Sequence, residues 1–165
     1  MNQLSQFRLR DADRTLRLFI TAFLILLTAG YATGLRFVHH TTGNTAQGLS
    51  EEYRGTPENT QTTEIKYAKT ADEMYVLVHN HIISLALVFL AVGGIFYFSS
   101  VSQRFKEFLI VEPFAAIATT FGGIFLTRFV SEYFSWLVLV SGISMAFCFF
   151  VMVFLILKEL WMSKS

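Results

Sequence analysis

Four long apolar blocks alternate with polar stretches along the chain. The first runs from Leu18 to Leu35 between Arg17 and Arg36. The second, Tyr75 to Phe98, is interrupted near its start by His79, Asn80 and His81. The third runs from Phe108 to Phe129 with Glu112 and Pro113 close to its beginning, and the fourth, Tyr133 to Leu157, is the most uniformly apolar. Crossing the hydrocarbon takes about 20 apolar residues as a helix. The pattern therefore predicts an all-α integral membrane protein with spans near 16–38, 74–100, 107–129 and 133–158. Only Val130 to Glu132 separate the last two, so these form a tight antiparallel hairpin. The expected whole is one membrane domain over residues 1–165, an antiparallel four-helix bundle. The first block reads as an anchor and not a signal peptide. Arg36, Phe37, Val38 and two histidines follow it, where a cleavage site would need small residues.

Basic residues give the direction of insertion. Arg8, Arg10, Arg14, Arg17, Arg104, Lys106, Lys158 and Lys164 make eight on the side of the two termini. Arg36, Arg54, Lys66, Lys69 and Arg128 make five on the other, offset by acidic residues such as Glu51, Glu52 and Glu132. Both termini are expected in the cytoplasm. Residues 1–15 place Leu4, Phe7 and Leu9 among arginines, the pattern of a short helix lying on the inner surface. The 39–73 loop is too polar for an independent core and is expected to fold over the helix ends as a lid, with an amphipathic turn or two in GLSEEYRG.

Composition narrows the chemistry. Hydrophobic residues at 53% and charged residues at 15% fit a membrane chain, and a net charge of +1 offers no footprint for nucleic acid. The single cysteine, Cys148, sits inside an apolar block, where it reads as a small buried hydrophobe. It excludes an internal disulfide, and no Cys-x-x-Cys-His attachment site for a c-type haem is present. Hydrolase and kinase signatures are missing as well.

The four histidines are the feature that looks like chemistry. His39 and His40 end the first span, and His79 and His81 open the second, so all four are expected at one membrane level. Interface anchoring is the work of Trp, Tyr, Lys and Arg on both faces, whereas these imidazoles gather on one. Imidazole is also the commonest neutral ligand for transition metals and haem iron. Residues two apart on a helix point about 200° from each other, so His79 and His81 cannot hold one ion from one face. A haem b clamped between one histidine of each span fits more easily. Arg36 and Arg128 at the same boundary could pair with its propionates. Gly30, Gly34, Gly122, Gly123 and Gly142 would leave space, or serve helix packing. His79, Ala86 and Gly93 share a seven-residue stripe, which turns His79 inward.

Glu112 is the one carboxylate within a span. Next to Pro113 it suits the first turn of a helix, where it would complement the dipole. With no partners seen deeper in the bilayer, its expected role is structural.

The order VHHTTGNTAQGLSEEYRG, VHNHIISLALVFLAVGGIF, FLIVEPF and TFGGIF, from Gly34 to Phe125, resembles a group of short bacterial four-helix membrane proteins with a His-His…Tyr-Arg-Gly…His-x-His pattern. The resemblance implies a bacterial inner-membrane setting and adds nothing on mechanism. The resulting expectation is a haem b- or metal-binding electron-transfer subunit. A redox or accessory subunit fits this small chain better than a stand-alone enzyme. Its partners would be the bilayer, other membrane subunits and a cytochrome or quinone. The alternatives are a copper or zinc site completed by Glu51, Glu52 or Glu64, and a cofactor-free structural or assembly subunit.

Overall fold

A computed structural model describes residues 7–57 and 65–162. The expectations resting on Leu4, Glu58, Glu64 and Lys164 lie outside the described residues. Its elements are a short 3-10 turn (Leu9–Asp11), α1 (Arg14–Thr42), α2 (Ala46–Arg54), α3 (Ala71–Phe96), α4 (Gln103–Phe129) and α5 (Phe134–Met162). The four long helices are each apolar and long enough to span a membrane, and they match the four blocks of the sequence.

Local chemistry sets the ends. Asp13 accepts from the Leu16 N–H at 2.7 Å to start α1. Gly43, at φ 61°, stops it in the left-handed conformation that glycine adopts without strain. Thr70 and Glu73 form a reciprocal capping box at the start of α3. At 29 residues α1 is about 43 Å long, which exceeds a hydrocarbon core of about 30 Å. The excess length extends beyond the lipid tails or is taken up by tilt.

The α4–α5 hairpin is the centre of the bundle. Its turn closes through the Val130 and Ser131 N–H groups, which both donate to the Leu126 carbonyl. These helices bury 44% and 39% of their most apolar windows, against 11% for α1 and 17% for α3. Lipid is as apolar as leucine, so burial here measures helix packing and not flight from water. α3 packs across both members of the hairpin, while α1 lies against α5. Phe89, Phe149, Met152 and Ile156 fill the interior.

The first and last of the described residues lie at the same end of the bundle. The Leu9 N–H donates to the Phe98 carbonyl at 3.1 Å, Ser100 is hydrogen-bonded to Glu159, and the Trp161 indole donates to Thr21 at 3.0 Å. In the described part of the segment before α1, Leu9–Asp11 form a 3-10 turn whose Leu9 is buried, with Phe7 set edge-on to Phe98 at 5.6 Å. Its apolar side chains find protein and not lipid, because the α3–α4 turn lies directly beneath them.

At the opposite end the described part of the polar loop packs over the helix ends as a lid. α2 buries Leu49 and Tyr53 and packs on α1, α4 and α5. Glu52 is paired with Lys69 at 3.0 Å and Lys66 at 3.3 Å, and Lys66 also donates to the Thr41 carbonyl. Burial, with help from the neighbouring Glu52 charge, pushes the Tyr53 phenol up to about 12.

Two expectations need correction. α4 begins at Gln103, so Pro113 lies in the helix interior and not in its first turn. The polar residues from Gln103 to Glu107 continue the helix out of the apolar block, which hydropathy alone could not register. Nor do α1 and α3 pack closely: they meet through the Tyr31 and Phe89 rings, whose centroids are 6.4 Å apart. Among the described residues no Cα of one comes within 8 Å of the other.

Candidate functional site

The histidine end is built from two helices that have little around them. Every residue from Ala32 to His40 on α1 is exposed, and so are His79, Asn80 and His81 on α3. A Cβ built on Gly30 or Gly34 would meet no atom within 4 Å. These glycines therefore pack against nothing in this chain and leave the face of α1 open. His39 and His40 line a shallow groove together with Thr33, Arg36, Phe37 and Gly43. His40 lies one turn from Arg36 and two from Thr33, so the three share a face.

On α3 it is His81 that turns toward a neighbour. Its ring lies 5.3 Å from that of Phe121 on α4, and its Nδ1 is 2.8 Å from the Leu77 carbonyl. That carbonyl can only accept, so Nδ1 is the donor, and in the neutral ring the lone pair that a ligand would use is on Nε2. The inward orientation expected for His79 does not hold, since its side is exposed. A straight helix drifts about 20° per heptad from a seven-residue stripe, and the rings that the first turns of α3 set against α4 are those of Tyr75, on Phe125, and His81, on Phe121.

The remaining site candidates are placed differently. Arg128 donates from Nε to the Lys69 carbonyl at 2.6 Å, and its guanidinium stacks over Phe129. Arg54 reaches the Thr127 carbonyl at 3.0 Å. The two arginines thus clip the lid to the end of α4. Of the loop carboxylates, Glu52 is committed to its lysines and Glu51 accepts from Gln47. Among the described residues no three His, Cys, Asp or Glu side chains come together as a ready site for an ion.

A second polar group, within the spans, was not foreseen. Ser144 on α5 donates to one carboxyl oxygen of Glu112. The other oxygen is fully buried and has no partner. Cys148, one turn along α5, lies beside the same carboxyl. Tyr31 of α1 is stacked on Phe149 at 4.1 Å and completes the surroundings. The available signal was the i, i+4 spacing of Ser144 and Cys148. It carried no weight until the tertiary structure set that face of α5 against Glu112.

The chain belongs to the Aq_1264_TM family of transmembrane helical domains, which it matches over residues 43–165. The match begins where α1 ends, so it covers His79, His81 and Glu112 but not His39, His40 or Tyr31. No curated protein and no solved structure matches the chain.

Proposed function

We propose that this multi-pass membrane protein binds a haem b at its histidine end and serves as an electron-transfer subunit. The observation that carries the reading is His81. Its ring is oriented by Phe121 and by the Leu77 carbonyl, the support that a ligating histidine ordinarily has, and the lone pair of the neutral ring is on Nε2. His40, one turn from the cationic Arg36 on the open face of α1, is the ligand proposed from the other helix, with His39 as its neighbour in the same groove. Haem iron is held by two axial side chains, whereas a structural ion site needs about four ligands. Of the two arginines, Arg36 is the better propionate partner, because the Nε of Arg128 is committed to Lys69.

The proposed setting is a bacterial inner membrane with both termini in the cytoplasm, supported by the eight-to-five division of basic residues. The histidine end would then face the periplasm, exchanging electrons with a quinone or cytochrome partner. An absorption spectrum of the protein purified from its native membrane tests the reading. A Soret band that shifts on reduction supports it. A colourless protein with stoichiometric copper or zinc replaces it with the ion site, and neither signal leaves a structural or assembly subunit.

A further inference from the structure

The spans themselves hold an oxygen-lined group that the histidine site does not use. Pro113 has no N–H and stands in the interior of α4, so it deprives the Leu109 carbonyl of its usual hydrogen-bond donor four residues on. Leu109 is buried, and neither lipid nor water replaces that donor. Helical side chains lean toward the helix N-terminus, so the Glu112 carboxyl lies over the turn that contains Leu109. One of its oxygens accepts from Ser144; the other is buried without a partner. Thr28 Oγ1 on α1, one turn from Tyr31, is also buried and unpartnered. Glu112 and Ser144 thus bring oxygen atoms together at the α4–α5 contact, with the Cys148 thiol beside them, and no positively charged side chain pairs with the carboxyl among the described residues. An unsatisfied polar group in hydrocarbon costs several kcal/mol, about as much as a membrane helix gains from its best interhelical contacts.

We infer that Glu112, Ser144 and the Leu109 carbonyl form an intramembrane site for a small monovalent cation, either a proton or an alkali ion. Hard oxygen ligands suit both, and a single carboxyl balances a single charge. The titratable groups facing it are Tyr31 from α1 and Cys148 from α5. α3 presents the Phe89 ring through Tyr31, and its inner half from Leu85 to Phe96 carries no titratable residue. The site stands apart from the histidines and does not depend on a haem.

Infrared difference spectroscopy on the full chain in lipid nanodiscs tests the inference. One arm steps the pH without sodium, and the other steps sodium against choline at fixed pH. The expected result is a carboxyl band that responds in at least one arm and is lost in Glu112→Gln. A response to pH alone identifies the proton, and a response to sodium identifies the alkali ion. Tyr31→Phe and Cys148→Ala keep the band and so assign it to the carboxyl. Ser144→Ala, which removes one oxygen, keeps the band and moves its midpoint roughly tenfold in cation concentration. Should Glu112→Gln fail to assemble, that shift provides the same reading. Wild-type and Glu112→Gln spectra that superimpose in both arms, or a Ser144→Ala midpoint equal to wild type, overturn it.

Discussion

Arg128 and Lys69, 59 residues apart in the chain, are joined by a 2.6 Å hydrogen bond from the guanidinium Nε to the backbone carbonyl. The bond ties the segment entering α3 to the end of α4. Arg54 makes a matching link from the end of α2 to Thr127. Removing Arg128 therefore loosens the lid without touching the spans. Arg128→Ala is expected to cost about 1 kcal/mol of local stability, and so to speed amide exchange around Lys69 roughly fivefold. Exchange in α5 should be unchanged. Equal acceleration in both would show that the clip stabilises the whole bundle.

The two adjacent glycines of α4 should behave oppositely. A Cβ on Gly123 would come within 2.9 Å of a Val138 methyl, while one on Gly122 would meet nothing within 4 Å. Gly123→Ala is expected to destabilise the α4–α5 pairing by about 1–3 kcal/mol, with Gly122→Ala close to neutral. Thermal unfolding of the two variants in the same detergent makes the comparison.

The haem reading separates the histidines of α3. Both are exposed, but the His81 ring rests on Phe121 and bonds the Leu77 carbonyl, contacts that His79 does not make among the described residues. His81→Ala should abolish the Soret band, and His79→Ala should leave most of it. Loss in both variants alike would mean that the ligand is not chosen by this packing.

Acid should act on the start of α3. The Thr70 backbone and hydroxyl hydrogen bonds hold the Glu73 carboxyl below the usual carboxylate range. A depressed folded value stabilises the cap above the unfolded pKa, and this support fades as pH falls through the folded value. Amide exchange at Met74 is expected to quicken below about pH 4. Glu73→Gln should remove that pH dependence while leaving the Thr70 hydroxyl cap.

Much of the architecture was legible in one dimension. The four spans follow the apolar blocks, and α2 arises around the stretch GLSEEYRG that the polar loop offers, while the caps at Asp13, Gly43 and Thr70–Glu73 became plain with the structure. These are local matters, settled by hydrogen bonds within a turn or two and by the length of apolar chain a bilayer demands. The candidate chemistry was only half legible. The histidines could be placed at one end, but their facing could not.

Which helices meet was decided only in three dimensions. The sequence determines four spans, yet an apolar surface toward lipid reads like one toward another helix. The tertiary structure set α1 against α5 with no close backbone approach to α3, turned His81 and not His79 toward a neighbour, and brought Glu112 to Ser144. Those choices follow from side-chain fit between helices, as where Gly123 admits Val138, and hydropathy carries no record of fit.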